Sequence, residues 1–135
     1  MTANNLYSFF VGGQTIAPNQ PLDLGTTNIQ NGTAITQTSP TTISLAANQT
    51  YQVAYSVQAY ANSAGNAQVG LGLNGTPIPG SGAALGAATP GTVETLANTV
   101  LVSTTMLSTL TLSNFGLNPQ TTSYNTNTVS VVKIQ

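Results

Sequence analysis

The sequence predicts an all-β domain, a sandwich of two antiparallel sheets with about ten strands. Most segments alternate apolar and polar side chains, and a period of two is that of a strand with one face in a core. Turn signals containing Gly, Pro or Asn separate these segments, and no segment of useful length has the period of a helix. We expect one domain over residues 1–135, with residues 1–5 disordered or left over from cloning.

The clearest strand is Tyr51–Tyr60, which alternates without a break. One of its faces is apolar and the other mixed, so we expect it inside a sheet with the apolar face in the core. Residues 46–50 form a short polar turn before it, and Thr41–Leu45 alternates before that turn. These two segments therefore predict sequential strands of an antiparallel sandwich.

The first strand is predicted at Leu6–Val11, where both faces are largely apolar. A strand of this kind is typically covered on both sides. Gly12-Gly13 is expected to end it. The next segment, Thr15–Leu24, contains Pro18 and Pro21, which favours a sheet edge or a corner.

Two Asn-Gly pairs predict tight hairpins. Asn31-Gly32 lies between candidate strands at 26–30 and 33–38. Asn74-Gly75 follows a one-sided strand at Ala67–Leu73 and precedes a segment with alternate prolines, which indicates an edge.

The rest of the chain gives a Gly-rich loop, two strands, a polar loop and a final strand. In chain order these segments are 80–91, 92–104, 109–114, 115–127 and 128–134. The 80–91 loop is expected to be the most mobile. The final strand again has two apolar faces.

The strands fall into two groups. Those at 41–45, 67–73 and 109–114 have one polar face, whereas the first and last strands have two apolar faces. We infer one sheet with a solvated outer face and one sheet with both of its faces covered. Since no helical segment is available to cover the second sheet, another subunit is the remaining candidate.

Charge is nearly absent. Asp23, Glu94 and Lys133 are the only charged side chains, and Thr, Ser, Asn and Gln make up 58 of the 135 residues. One lysine without arginine excludes nucleic-acid binding through phosphate contacts. The apolar runs are far shorter than the ~18 residues of a membrane span. A net charge near zero favours association with other protein surfaces.

No constellation for catalysis is found. The chain lacks His, Cys, Trp and Arg, which excludes Ser–His, Cys–His and zinc arrangements. Asp23 and Glu94 could form a glycosidase pair, but we interpret both as solvated charges. We therefore predict no enzyme, no cofactor and no metal site, with one alternative left open. A cation could be held on a symmetry axis that multiplies the carboxylates.

The tyrosines give the only ligand candidates. Tyr51 and Tyr55 lie on the apolar face of the central strand and are expected in the core. Tyr60 and Tyr124 lie on or near predicted loops, where they could stack on a sugar or contact a receptor.

Five segments resemble the C-terminal domain of collagen-like glycoproteins from the exosporium, the outer surface of bacterial spores. They are Gln14–Leu22, Ile43–Val57, Leu73–Ser81, Leu110–Asn114 and Val129–Ile134. The most specific piece is Asn74–Ser81, with the sequence NGTPIPGS. The resemblance implies a jelly roll of the C1q/TNF type, a compact homotrimer that caps a collagen-like stalk, and an extracellular location on the spore surface.

The predicted function is therefore a non-enzymatic trimerisation and surface-display domain. A more specific form of this prediction adds an adhesion or recognition role toward a glycan or receptor on a host or environmental surface. The alternative is the carbohydrate- or receptor-binding head of a phage or other trimeric fibre, because such heads share the charge-poor, Thr/Asn-rich composition. Neither version involves nucleic acid or a membrane.

The trimer contact is expected to use one face each of the first, central and last strands. Tyr7 or Phe9 and Val132 or Ile134 should lie near its centre. Periodicity leaves open which face of each strand is core, and the three-fold symmetry comes from the family resemblance.

Overall fold

The computed structural model describes residues 3–115 and 120–135, which form a sandwich of strands with no helix among them. The strands are β1 (Asn5–Ile16), β2 (Thr26–Asn31), β3 (Ile35–Ser39), β4 (Thr42–Leu45), β5 (Gln49–Tyr60), β6 (Ala67–Leu73), β7 (Thr76–Pro77), β8 (Ala83–Leu85), β9 (Val93–Thr104), β10 (Ser108–Ser113) and β11 (Thr122–Lys133). The all-β sandwich predicted from periodicity is confirmed, with eleven strands in the described chain.

One sheet contains the first, central and last strands. Its order is β2-β1-β11-β5-β9, and all neighbours are antiparallel. β5 pairs with β11 on one side and with β9 over all twelve of its residues on the other, which confirms it as an interior strand. We call this the five-stranded sheet.

The other sheet has the order β3-β4-β10-β6-β7, and β8 also pairs with β6. The strands expected to be one-sided all lie here, so the division of strands into two sheets is confirmed. β4 and β5 are sequential, as predicted, but belong to different sheets. The chain therefore crosses between the layers at this connection.

The core lies between the two sheets. The face of β5 that carries Tyr51, Val53 and Tyr55 points into it, together with Val129 and Val131 of β11. Its largest fully buried side chains are Tyr51, Tyr124, Leu6, Leu22, Leu24, Ile35, Ile43, Leu45, Leu71, Leu110, Leu112 and Val53. Because Leu6 and Ser8 are buried on β1, the intervening Tyr7 and Phe9 lie on the opposite, outer face.

Gly12-Gly13 does not end the first strand. β1 continues to Ile16 through a bulge between Phe10 and Gly13. Gly12 has a φ of 124°, a backbone conformation that residues with a Cβ rarely adopt. Glycine at this position therefore allows the strand to continue through the bulge.

The predicted hairpin at Asn31-Gly32 is wrong, because β2 and β3 belong to different sheets. The side chain of Asn4 is bonded to the segment in which the chain crosses between the sheets. Its Oδ1 accepts bonds from the amides of Thr33 (3.1 Å) and Ala34 (3.0 Å), and a Cβ on Gly32 would clash with that oxygen. The expected disorder of residues 1–5 is therefore wrong for Asn4 and for Asn5, which begins β1.

The hairpin at Asn74-Gly75 is confirmed, since Leu73 pairs with Thr76 and both turn residues have positive φ. β6 has the predicted bounds but is not one-sided. Its outer positions Gly70 and Gly72 are buried beneath Phe115, and a Cβ on Gly72 would lie 3.0 Å from the ring. The glycines make room for the aromatic side chain.

Two predicted loops contain strands in the structure. The 80–91 segment contains β8, which pairs Val69 with Ala83. The expected polar loop at 115–127 becomes strand from Thr122 onward. Its residues 116–119 lie outside the described part of the chain.

Candidate interface on the five-stranded sheet

The outer face of the five-stranded sheet is the main candidate site. Among the described residues, no third layer packs over it. Pairing aligns its side chains in rows across the strands. Two central rows are Tyr7–Ser130–Ala54–Thr99 and Phe9–Thr128–Ser56–Ala97.

Two aromatic side chains dominate these rows. Tyr7 and Phe9 lie two residues apart on β1, with ring centroids 6.2 Å apart and planes tilted by 34°. Both are only half-buried. The pair forms an apolar platform beside the small side chains of Thr128 and Ser130.

The predicted interface residues lie on the same side of the sheet. Val132 of β11 is 41% exposed, and Ile134, which follows the strand with the same parity, is 50% exposed. Leu101 of β9 occupies the same row as Val132, with Gln52 between them, and is 64% exposed. Sequence reasoning missed Leu101 because Val100 and Val102 on either side of it are also apolar.

The charged residues lie elsewhere. Lys133 pairs with Tyr51 and Glu94 pairs with Ala59, positions that alternate away from the outer face. Asp23 lies between β1 and β2, where its carboxylate accepts a 2.7 Å bond from the Gly25 amide. In the described chain, no group of three or more metal-ligating side chains occurs, and no helix could cross a bilayer.

A double bulge divides the outer face. β1 bulges between Phe10 and Gly13, and β11 is irregular between Asn125 and Asn127 at the same height. Val11 is 72% exposed at this point. The platform of Tyr7 and Phe9 lies on the side of the bulge nearest the chain termini.

Tyr60 lies on the other side of the bulge. It is half-buried at the end of β5 and pairs with Ser123 of β11. The Asn125 side-chain amide donates a 3.4 Å bond to its hydroxyl oxygen. Ser123 is also bonded to Thr15 of β1, with the two hydroxyl oxygens 3.2 Å apart.

Tyr124 is not available as a ligand contact, and this prediction is wrong. Its side chain is 1% exposed, and its hydroxyl donates to the carbonyl oxygen of Gln68 in the other sheet. Burial raises the pKa of its phenol well above the ordinary value. The error arose because β11 begins at Thr122, before the residues that we assigned to it.

Asn98 closes the free edge of β9. Its Nδ2 donates to the carbonyl oxygens of Gly80 and Gly82, both at 3.0 Å, and its Oδ1 accepts a 2.8 Å bond from the Thr99 amide. One side chain thus joins the edge of the five-stranded sheet to the segment before β8. Occupied backbone groups at an edge protect it from pairing with stray strands.

Comparison with known proteins identifies the fold. No family model and no curated protein matches the sequence. The globular domain of zebrafish complement 1qA protein superimposes with a TM-score of 0.72 at 9% identity, and 98% of each chain is covered. The Eiger TNF from S. frugiperda gives a TM-score of 0.68 at 12% identity, covering 98% of this chain and 94% of that one.

The fold is a C1q/TNF-like jelly roll. This confirms the architecture that the family resemblance implies. The vertex protein P5 of PRD1 also matches the jelly roll, with a TM-score of 0.62 at 19% identity over 100% of this chain and 99% of that chain. At these identities the likeness concerns the fold alone.

Proposed function

We propose that this chain is a non-enzymatic, homotrimeric head domain that caps a collagen-like stalk and displays itself on the surface of a bacterial spore. The observation that supports self-association is the composition of the outer face of the five-stranded sheet. This face presents aromatic and aliphatic side chains and no charge, in a chain with no described layer to cover it. Enrichment in aromatic residues and depletion of charges are features of interface cores.

The C1q/TNF-like fold and the resemblance to spore-surface glycoproteins support three copies. The platform of Tyr7 and Phe9, with Val132, Ile134 and Leu101 nearer the termini, supplies the apolar surface. A stable contact between two copies buries on the order of 1,600 Å². We expect these side chains to supply most of its apolar area.

The absence of enzymatic activity is supported by the state of the polar side chains. The Asp23 carboxylate is engaged by the backbone of its own loop, and Glu94 is exposed at the start of β9. Burial raises the pKa of Tyr55 to about 12, so its phenol is harder to deprotonate than that of an ordinary tyrosine. A phenol held in its protonated form is not an activated nucleophile.

Sedimentation equilibrium of the purified domain at micromolar concentration tests the assembly. We expect a single species with three times the mass of the chain. A monomer would contradict self-association, and a clean dimer would contradict its three-fold form.

The spore-surface role and its alternative, the head of a phage or other fibre, require a different experiment. Sequencing the natural gene upstream of residue 1 would reveal either Gly-X-Y triplets or a fibre shaft. Immunogold labelling of intact spores would then locate the protein directly. Unlabelled spores of the source organism would contradict the spore-surface assignment.

A further inference from the structure

We infer that Ala3 and Asn4 form a clamp that couples the start of the described chain to the contact between copies. The N-terminal clamp, as we call it, consists of residues 3–4, the turn at 32–34 and Lys133. The Asn4 side chain holds the turn, and the Asn4 backbone holds the end of β11. The clamp itself is a property of one copy, whereas its coupling to the contact rests on the proposed function.

The turn of the clamp connects β2 in one sheet to β3 in the other. Asn4 Oδ1 accepts hydrogen bonds from the amides of Thr33 and Ala34, two donors that lie outside the strands. Gly32 leaves room for this contact, because a Cβ there would clash with Asn4 Oδ1 and with the carbonyl oxygen of Ala3. Closure of the clamp therefore requires glycine at this position.

The turn is also joined to a second connection between the sheets. The Ala34 carbonyl accepts a 2.9 Å bond from the amide of Ala46, which lies between β4 and β5. The Ala46 carbonyl in turn accepts bonds from the side chains of Tyr51 (2.9 Å) and Thr104 (2.6 Å). Movement of the turn would therefore disturb hydrogen bonds that reach Tyr51 in the core.

The C-terminal segment is held between Asn4 and Thr50. The Asn4 carbonyl accepts a 2.9 Å bond from the Lys133 amide. On the other side, the amides of Ile134 and Gln135 donate to the Thr50 carbonyl at 2.8 and 3.2 Å, and the Thr50 amide donates back to the Gln135 carbonyl at 2.6 Å. Ile134 is one of the side chains proposed for the contact and is 50% exposed. Asn4 thus fixes one side of the segment that carries it.

Release of Asn4 would leave this segment held on one side only and would leave two turn amides without their acceptor. The Ile134 side chain would then sample more positions, and ordering it again on association costs free energy. Coupling between two sites is reciprocal, so the contact should also stabilise the clamp. Any event that removes residues 3–4, such as N-terminal proteolysis, is thereby expected to weaken the assembly.

Amide hydrogen exchange of the intact domain, followed by NMR, tests the clamp. Asn4→Ala should speed exchange at the Thr33 and Ala34 amides about tenfold, the order expected for a lost hydrogen bond. It should also speed exchange at Ile134, which the Asn4 side chain does not bond. Asn74→Ala is the matched control, because Asn74 Oδ1 likewise accepts a bond from a backbone amide, that of Thr109. Its effect should stay at Thr109.

A second pair of variants disturbs the clamp from the side of the turn. Gly32 and Gly75 both follow an asparagine and have similar φ values of 77° and 83°, so a Cβ strains the backbone of both. A Cβ on Gly75 would meet nothing within 4 Å, whereas one on Gly32 would displace Asn4. Gly32→Ala should therefore reproduce the exchange pattern of Asn4→Ala, and Gly75→Ala should not. In sedimentation equilibrium, Asn4→Ala and Gly32→Ala should raise the dissociation constant of the oligomer at least about threefold.

Turn amides that exchange as fast in the parent as in Asn4→Ala and Gly32→Ala would overturn the clamp. Faster exchange confined to the turn, with Ile134 unchanged, would overturn its link to the C-terminal segment. Faster exchange at Ile134 with an unchanged dissociation constant would overturn the coupling to the contact. A protein that is monomeric in every variant but shows the whole exchange pattern would support the clamp and contradict the proposed assembly.

Discussion

The hydroxyl of Tyr55 donates a 2.5 Å hydrogen bond to the carbonyl oxygen of Ser81, which ties the central strand to the segment after β7. The Ser81 side chain continues this network. Its Oγ accepts a 3.0 Å bond from the Leu71 amide and donates a 2.7 Å bond to the carbonyl of Ile78. With Asn98 bonded to Gly80 and Gly82, the segment around Ser81 is held from both sheets.

Replacing Tyr55 by Phe should lower the free energy of unfolding by about 1–3 kcal/mol, because the buried Ser81 carbonyl loses its partner. Denaturant unfolding at a fixed protein concentration measures the change, since the stability of an oligomer depends on concentration. Tyr60→Phe is the matched control. It also removes a tyrosine hydroxyl, but Tyr60 is half-exposed, so water can take over the hydrogen bond that the hydroxyl made. Equal effects of the two substitutions would contradict the assigned role of the Tyr55–Ser81 bond.

The three buried tyrosines predict a loss of stability in alkali. Burial raises the pKa of Tyr55 to about 12, and it also raises the pKa values of Tyr51 and Tyr124. The unfolded chain releases these protons near pH 10, before the folded chain does, so stability is complete below pH 10 and declines above it. The slope is at most about 1.4 kcal/mol per pH unit for each tyrosine.

Melting temperatures between pH 6 and pH 12 test this prediction. We expect little change up to about pH 9, because the chain has no histidine, and a progressive fall above pH 10. In Tyr55→Phe the fall should be shallower. A curve that stays flat to pH 12 would show that the tyrosines ionise equally well in both states.

Removing the side chain of Asn98 should open the edge of β9. Asn98→Ala loses two donated bonds and one accepted bond, but the site is exposed, so we expect a cost of only about 1 kcal/mol. The larger effect should be local. Elastase, which cleaves after small residues, should cut the 80–91 segment several-fold faster than in the parent or in Thr38→Ala, and unchanged cleavage would count against this role of Asn98.

Ser8 and Ser81 are both buried serines, and their removal should have opposite effects. Within the described chain, the Ser8 hydroxyl has no hydrogen-bond partner although the residue is 0% exposed. Ser8→Ala should therefore stabilise the domain by about 1 kcal/mol, whereas Ser81→Ala removes the partner of the buried Leu71 amide and should destabilise it by about 1–3 kcal/mol. Thermal unfolding of the two variants at equal concentration gives the comparison. Destabilisation by Ser8→Ala would show that its hydroxyl is satisfied in solution.

A carboxylate in the proposed contact should dissociate the trimer. Phe9→Asp and Ile134→Asp each add a charge that would be desolvated and repeated three times around the axis. Because both side chains lie outside the core, folded monomers are the expected product. Thr38→Asp should leave the oligomer intact. A trimer that survives Phe9→Asp would show that the platform is not part of the interface.

Side-chain alternation was sufficient to predict the positions of the strands whose core residues are apolar. It predicted β6 and β9 closely, the centre of β5, and the division of strands between the sheets. It failed for the start of β11, where the buried positions are Thr122, Tyr124 and Asn127 and the pattern reads as polar. The same failure produced the wrong assignment of Tyr124 as a ligand contact.

The extent of β1 could not be predicted either, because Gly12-Gly13 resembles a strand end and only its pairing with β11 reveals a bulge. The outward orientation of Tyr7 and Phe9 also required tertiary information. Both faces of this strand are apolar, and the burial of Leu6 beneath the other sheet decides between them. The neighbours of Tyr60, Thr15 and Asn125, come together only through strand pairing, which the sequence pattern does not show.

The antiparallel pairing of β1 with β11 has a mechanical consequence. Asn5 lies opposite Val132, and the Lys133 amide bonds the carbonyl of Asn4, so both ends of the described chain lie at one pole while Tyr60 lies toward the other. Force applied between residues 4 and 133 would peel the two strands apart one bond at a time. Force applied between residue 4 and Tyr60 would act along the strands, perpendicular to their hydrogen bonds, and would have to shear many of them together. The domain would therefore resist tension between residue 4 and Tyr60 more strongly than tension between its two termini.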